Sequence, residues 1–338
     1  MADVFPWQQS LWLQLAKRPQ HAHAYLLHGP AGIGKRALAT ALAHFLLCQD
    51  RQDLHPCGRC KGCLLLAAGT HPDLYELKPA EDKKSVGVDD VRALIDFIAK
   101  TAQMGGHKVV LVAEPPAEEM TLAASNALLK SLEEPSRDTV LLLLCDQPSR
   151  LLPTIKSRCV QQACPLPGED ESLAWLNSQL PEAGEPELRE LLSLAAGSPL
   201  KALGLSAQGV REQRALVVEG IKKLLKRQVT PSQLAEAWAQ VSLVMLVDWL
   251  FDWSQAILRY QLTGDEETLG LEDMRKVNQY LAQFPAALTT NERLVPPPAA
   301  AGTPLDGRTL VSGVAALVLA LVIYGAFHDP AALPVPSA

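Results

Sequence analysis

The sequence has no excess of basic side chains. Its 31 lysines and arginines are outnumbered by 37 aspartates and glutamates, so the formal net charge is −6 at pH 7. The acidic excess lies C-terminal to Pro165. A chain that holds nucleic acid unaided needs a strongly basic surface, because much of that affinity comes from neutralised phosphates. We therefore expect any contact with DNA to be local or shared with a partner.

The chain also lacks a basic amino-terminal segment followed by an apolar stretch, so we expect no signal peptide and a cytoplasmic protein. Seven cysteines, an odd number, favour thiols or metal ligands over a disulfide framework. Apolar residues make up 48% of the chain and charged residues 20%, which excludes wholesale disorder, collagen and coiled-coil rods. Its 338 residues are enough for two or three domains.

Short apolar runs alternate with helical patterns between residues 20 and 165. The runs predict strands at Ala24–His28, Leu74–Leu77, Lys108–Val112, Thr139–Cys145 and Val160–Ala163. Helices are predicted between them at Arg36–Cys48, Asp89–Gln103 and Ala123–Leu132. Strands joined by crossover helices form a parallel sheet that is covered on both faces. This part of the chain is therefore predicted to be an α/β domain.

The strand pattern stops after Pro165, and amphipathic helices dominate from there on. We predict helices at Glu169–Gln179, Glu187–Ala195, Gly209–Lys226 and Leu234–Tyr260. They indicate a small helical domain followed by a helical bundle.

The last fifty residues change character again. Leu294–Pro304 is rich in proline and alanine, which is typical of a semi-extended linker. The 19 residues Thr309–Phe327 carry no charge, and a run of this length just suffices to span a bilayer. The alternative is a helix buried between subunits. We favour that alternative, because the rest of the sequence has the pattern of a soluble protein.

A glycine-rich loop follows the first predicted strand. Residues 29–36 read GPAGIGKR and match the pattern G-x-x-x-x-G-K-[ST] except at its last position. In such a loop Gly29, Gly32 and Gly34 let backbone N–H groups face a phosphate. Lys35 reaches the terminal phosphates. Arg36 stands where a Ser or Thr would hold Mg²⁺, so the motif predicts a P-loop fold without predicting ATP hydrolysis.

The second half of an ATPase site is also incomplete. An aspartate is expected at the end of a buried strand, but Lys108–Val112 runs into Ala113, Glu114 and two prolines. We interpret Glu114 as a solvated loop carboxylate. Two losses at one site predict a P-loop that does not hydrolyse nucleotide.

Four cysteines have metal-ligand spacing. Cys48, Cys57, Cys60 and Cys63 form C-x8-C-x2-C-x2-C, and the two-residue gaps let pairs of thiolates reach one ion. Four thiolates satisfy tetrahedral Zn²⁺, and closed sites of this kind are structural. An iron–sulfur cluster or a redox pair is the alternative. The remaining cysteines, Cys145, Cys159 and Cys164, lie in or beside strands and are predicted to be buried core thiols.

Arg158 follows the sequence TIKS and precedes Cys159. A guanidinium group is always charged and its planar fork suits phosphate, so an arginine at an edge can serve a neighbour's nucleotide. From the residue alone, a surface salt bridge is the simpler interpretation.

These motifs occur together in one family. In chain order, the strings AYLLHGPAGIGK, CGRCKGC, GTHPDLYEL, VGVDDVRAL, SNALLKSLEEP and LLPTIKSRC resemble the delta-prime subunits of the bacterial DNA polymerase III clamp loader. The resemblance covers about residues 1–285. It implies an AAA+ P-loop domain at 1–165 with a four-cysteine zinc module at 48–63, a helical lid domain at 166–206 and a helical collar domain at 207–290. Residues 291–338 remain as a Pro/Ala-rich linker and an apolar helix of uncertain role.

The resemblance also implies partners and roles. The chain would join a delta subunit and three ATPase subunits of the gamma/tau type within the DNA polymerase III holoenzyme, and help set the sliding clamp on primed DNA. Its own P-loop, at Gly29, Gly32, Gly34 and Lys35, would be degenerate and hold at most ATP or phosphate without hydrolysis. Arg158, in the Ser-Arg-Cys motif, would act in trans as an arginine finger. Leu200 stands where an ATPase relative has a lid arginine.

Three other functions remain open from the sequence. The chain is an active ATPase subunit of the same clamp loader if another group orders Mg²⁺. The cysteine module is a nucleic-acid contact if binding there depends on salt. The chain is a membrane-tethered adaptor if Thr309–Phe327 spans a bilayer.

Overall fold

The computed structural model describes residues 4–80, 83, 85–136, 138–226 and 228–283. The chain divides into two compact units, with the boundary between Ala207 and Gln208. The predicted linker Leu294–Pro304 and the uncharged segment Thr309–Phe327 lie outside the described residues. Within the described ranges, no helix combines the length and the hydrophobicity that crossing a membrane requires.

The first unit contains a five-stranded parallel sheet. Its strands are β1 (Ala24–His28), β2 (Leu74–Leu77), β3 (Lys108–Val112), β4 (Thr139–Cys145) and β5 (Val160–Ala163). They lie in the order β2-β3-β4-β1-β5. All five predicted strands are confirmed with the same bounds. Because the strands are parallel, their carboxyl ends share one edge, where the loops of such sheets collect ligand-binding groups.

Helices cover both faces of the sheet. The helices of the first unit are α1 (Gln9–Ala16), α2 (Lys35–Leu47), α3 (Lys61–Ala67), α4 (Val88–Ala99), α5 (Leu122–Glu133), α6 (Pro153–Lys156), α7 (Glu169–Gln179), α8 (Glu185–Leu194) and α9 (Pro199–Ala207). Side chains alternate along β1, so Tyr25 and Leu27 pack with α1 and α2, while Leu26 packs with α4 and α5. Two apolar layers explain why the strands are apolar at nearly every position.

The helices after β5 have a small core of their own. Leu176 of α7, Leu191 of α8 and Ala202 of α9 are fully buried against one another. The three helices therefore form a compact element within the first unit.

The second unit is helical throughout its described part. It contains α10 (Val210–Leu225), α11 (Pro231–Ala237), α12 (Leu243–Thr263) and α13 (Glu272–Leu281). The prediction of one helix over Leu234–Tyr260 is wrong, because a turn between α11 and α12 buries Trp238 and Val241 in the core. The buried guanidinium of Arg214 pairs with both carboxylate oxygens of Asp273, at 2.7 and 3.2 Å, and so links α10 to α13.

Helix α4 is shorter than predicted, and a buried carboxylate gives the reason. Asp73 accepts the backbone N–H groups of Gln103 and Met104 at 2.8 and 2.9 Å. These bonds hold the segment after Ala99 as a loop instead of further helical turns. The loop then leads into β3.

Replacing Asp73 with alanine is expected to lower the free energy of unfolding by about 2 kcal/mol. The substitution removes a charged acceptor and leaves two backbone donors without it. Urea unfolding followed by circular dichroism measures the effect. Asp89→Ala is the control, because Asp89 is exposed and its pairing with Arg92 is worth at most about 0.5 kcal/mol. Equal stability of the two variants would show that Asp73 does not hold the loop.

Candidate functional site

The glycine-rich loop connects β1 to α2, as predicted, and its shape requires glycine. Gly32 and Gly34 have φ angles of 77° and 88°, in the left-handed region that side chains disfavour. A Cβ on Gly32 would lie 2.8 Å from the backbone nitrogen of Lys201, and a Cβ on Gly34 would overlap the ring of Phe5. Other parts of the same chain therefore lie directly against the loop.

Backbone carbonyls of the loop are bonded within the chain. The Ile33 carbonyl accepts the indole N–H of Trp7 at 2.9 Å and the amide of Gln8 at 3.0 Å. The Gly32 carbonyl accepts the backbone N–H of Leu200 at 3.0 Å. The amino-terminal segment and the start of α9 thus fasten the loop from two directions.

Three aromatic rings pack beside this amino-terminal segment. The ring centroids of Phe5 and Trp7 are 4.9 Å apart in a stacked arrangement, and Trp175 of α7 meets both edge-on at 5.6 and 5.7 Å. Such contacts stabilise a fixed arrangement of the rings. They join α7 to the segment that covers the loop.

Lys35 is the most buried charged residue of the loop, with 5% of its side chain exposed. Its ammonium group lies 2.6 Å from the carbonyl oxygens of Gly29 and Pro30 and 2.6 Å from Oδ1 of Asp146. An ammonium group has three N–H donors. All three are matched by acceptors of this chain, so none is left over for a phosphate in this arrangement.

Asp146 directly follows β4, the neighbour of β1 in the sheet. Its backbone N–H and that of Gln147 both donate to Oε1 of Glu118 at 2.8 Å. Glu118 therefore sets the turn that places the Asp146 carboxylate against Lys35. The sequence offered no pairing for Asp146, because the pairing depends on the strand order.

Arg36 lies between two carboxylates at the carboxyl edge of the sheet. One guanidinium nitrogen is 2.7 Å from Glu76, near the end of β2, and another pairs with Glu114, just beyond β3. The hydrogen bond with Glu114 raises the pKa of Arg36, burial opposes the shift, and the charge of Glu76 adds to it. Glu114 is 66% exposed, but it is an ion-pair partner and not merely a solvated carboxylate. A positive group thus stands where the motif would hold a metal ion.

The four cysteines of the spacing motif meet in one cluster. Their sulfur atoms all lie within 4.8 Å of one another, with Cys48 to Cys60 and Cys57 to Cys63 at 4.0 Å. Bonds of about 2.3 Å to a tetrahedral ion place sulfur atoms about 3.8 Å apart. The cluster therefore fits a four-thiolate metal site.

Backbone N–H groups point at these sulfur atoms. Cys57 donates to the sulfur of Cys48 at 3.2 Å, and Cys63 donates to that of Cys60 at 3.4 Å. Burial raises the pKa of the Cys60 thiol, but bonds from the N–H groups of Cys63 and Gln49 outweigh it and lower the pKa to about 6. These donors favour the thiolate, the metal-binding form, at Cys60, whereas burial raises the pKa of Cys48 and raises that of Cys63 to about 12.

The other three cysteines lie outside the cluster. Cys145 and Cys164 are buried and Cys159 is half-buried. Burial raises the pKa of Cys145 to about 12, that of Cys159 to about 12 and that of Cys164 to about 11. Such thiols are unreactive at neutral pH, which agrees with the prediction of core positions.

Arg158 follows helix α6 and is one-third exposed. Its guanidinium lies 2.6 Å from Glu133 at the end of α5 and donates to the Thr154 carbonyl at 2.9 Å. The expected salt bridge is therefore present. Neither of these partners belongs to the glycine-rich loop, so the two candidate sites are built from separate groups of residues.

A parallel sheet with a glycine-rich loop between β1 and α2 defines a P-loop α/β protein.

Comparison with known proteins shows which family of P-loop proteins the chain is similar to. Residues 7–165 match the family model described as DNA polymerase III, delta subunit. The DNA polymerase III subunit delta' of Pseudomonas aeruginosa is 64% identical over 281 residues, which are 83% of this chain and 85% of that protein. The subunit delta' of Yersinia pestis is 36% identical over 86% of this chain and 87% of its own length.

The chain belongs to the delta' family of DNA polymerase III subunits, which are clamp-loader subunits of DNA replication. Among solved structures, a DNA polymerase III gamma subunit-related protein from Thermotoga maritima is 20% identical, with a TM-score of 0.40, over 91% of this chain and 97% of that one.

Replacing Lys35 with methionine is expected to destabilise the chain by about 2 kcal/mol, because three acceptors lose a buried partner. Urea unfolding measures the change, and Lys130→Met, at an exposed position of α5, is the control. A double-mutant cycle with Asp146→Asn should give a coupling of about 1 kcal/mol. Additive effects of the two substitutions would contradict the pairing.

The purified chain is expected to carry one metal ion on the cysteine cluster. Cys60→Ser should lose most of that metal, because a closed four-thiolate site loses a ligand. Elemental analysis gives the metal content per chain. Cys159→Ser, outside the cluster, should keep the full content. A folded wild-type chain that is free of metal, or equal metal in the two variants, would refute this assignment.

Proposed function

We propose that this chain is a clamp-loader subunit that does not hydrolyse ATP and that lends Arg158 to ATP on a neighbouring ATPase subunit. The arrangement of Lys35 carries the first half of the proposal. Its three N–H donors are matched by Gly29, Pro30 and Asp146. A nucleotide phosphate would have to displace these acceptors from a side chain that is almost fully buried.

The position of Arg36 supports the same conclusion. A hydrolysing P-loop holds Mg²⁺ through a hydroxyl at this position and through an acidic group at the end of another strand of the sheet, here β3. Here the guanidinium pairs with Glu76 and Glu114 at the strand ends. It would repel a divalent cation and compete with it for the carboxylates. The site therefore lacks the means to order the metal that neutralises charge in phosphoryl transfer.

Arg158 suits a role in trans. Its side chain is one-third exposed, so part of it is accessible to a partner. Glu133 pairs with it from α5 and pre-orients it. A phosphate that approaches from another subunit would exchange for this carboxylate, and guanidinium groups bind phosphate in a bidentate manner.

The remaining assignments follow from family membership. We propose an AAA+ domain at 1–165, a lid at 166–206 and a collar at 207–290. The partners would be delta, ATPase subunits of the gamma/tau type, the sliding clamp and primed DNA, within the DNA polymerase III holoenzyme. The cysteine cluster would hold structural Zn²⁺, which fixes the insertion between α2 and β2.

The alternative is an active ATPase subunit of the same clamp loader. The glycine-rich loop with its lysine is the observation in its favour. An active site would require Lys35 to break its ion pair with Asp146, and Arg36 to break its ion pairs with Glu76 and Glu114. ATP turnover by the isolated chain separates the two functions, and the proposal expects none.

The test is ATP hydrolysis by the reconstituted assembly with clamp and primed DNA. Arg158→Ala is expected to reduce stimulated turnover by at least about a third, because one of three ATPase sites loses a finger that can be worth about 10³–10⁵ in rate. Arg150→Ala is the control, since Arg150 is a nearby exposed arginine. Unchanged turnover in an intact pentamer would reduce Arg158 to a structural ion-pair residue.

A further inference from the structure

Helix α12 of the second unit is apolar on two opposite faces. One face is buried in the unit and contains Trp249, Trp253 and Ile257. The other face carries exposed apolar side chains, which we call the α12 stripe: Val244, Val247, Phe251, Leu258 and Leu262. A helix that is apolar on both faces is normally covered on both. Burial within the unit accounts for the apolar residues on one face of α12 but not for those on the other face.

The α12 stripe is continuous and narrow. At 100° per residue its five side chains fall within about 60° of one another around the helix. They are 37% to 78% exposed, and they account for five of the eleven large apolar side chains that are exposed among the described residues. From Val244 to Leu262 the stripe is about 27 Å long at 1.5 Å per residue. An apolar strip of this kind marks an interaction surface.

A segment of matching length and character lies later in the same chain. Thr309–Phe327 contains 19 residues without a charge, the same number of residues as positions 244–262 of α12. The 25 residues 284–308 connect it to the end of the described structure. Extended, they reach up to about 80 Å, roughly three times the length of the stripe. The linker is therefore long enough for the segment to dock parallel or antiparallel to α12.

We propose that Thr309–Phe327 docks on the α12 stripe of its own chain. Two uncharged apolar surfaces of equal length then cover each other, and each removes the other from water. Tethering favours this partner over a second copy, because a linker of this length gives an effective concentration in the millimolar range. The inference is made for the isolated chain, since the collar proposed at 207–290 would offer the same surface to partner subunits.

A photo-crosslinker at Phe251 of the full chain tests the proposal. Phe251 lies at the middle of the stripe and is 62% exposed. Irradiation followed by peptide mass spectrometry should show a link to residues 309–327 within the same molecule. The same crosslinker at Leu122, an exposed apolar position on α5, is the control and should not reach this segment.

Charged substitutions in the segment give a second readout. The pair Leu317→Lys and Leu321→Lys should abolish the crosslink from Phe251 and increase hydrogen exchange and apolar-dye binding at α12 at least twofold. Ala299→Lys, in the linker, should leave both unchanged. Links between two molecules would identify a second copy as the occupant. Flotation of the wild-type chain with phospholipid vesicles that is lost in the double variant would identify a membrane. Either result, or the absence of a link from Phe251, would overturn the proposal.

Discussion

The buried ammonium group of Lys35 fastens three parts of the first unit at one point. It bonds the loop after β1 through Gly29 and Pro30, it begins α2, and it pairs with Asp146 at the end of β4. β1 and β4 are neighbours in register, and the Gly29 N–H donates to the Cys145 carbonyl beside them. A buried charge is costly unless it is paired, so the loop, the helix start and the strand end must keep their relative positions.

At the same edge of the sheet a protein cation stands at the position where the P-loop motif has its metal-binding hydroxyl. The guanidinium of Arg36 lies between Glu76 and Glu114, which come from the ends of β2 and β3. A guanidinium and a metal ion are alternative ways to neutralise such a pair of carboxylates. The substitution is thus more than the loss of a hydroxyl, because it also supplies a group that satisfies its surroundings.

The sequence predicted all five strands, since each is a short apolar run between polar turns. It also predicted the glycine-rich loop and the cysteine cluster, because both depend on residues close together in the chain. It did not predict the pairing of Lys35 with Asp146 or that of Arg36 with Glu76. These partners are 111 and 40 residues apart, and they meet only because of the order of strands in the sheet.

Helix ends were less predictable for a similar reason. The end of α4 depends on Asp73, which lies before β2 and therefore far from that end in the sequence. The break before α12 depends on the burial of Trp238 and Val241 in the core. The spacing of apolar residues along a helix does not indicate either contact. The aromatic group of Phe5, Trp7 and Trp175 is likewise invisible in sequence, because its members come from opposite ends of the first unit.

The bond from the Leu200 N–H to the Gly32 carbonyl fixes α9 on the loop without any ligand. A ligand shifts a conformational equilibrium only by the difference in its affinity for the two states. In the proposed function the ammonium donors of Lys35 stay with Gly29, Pro30 and Asp146, so adenine nucleotides have little such difference. On that proposal the position of α9 is decoupled from the ratio of ATP to ADP in the cell, and the first unit keeps one shape while energy charge rises and falls.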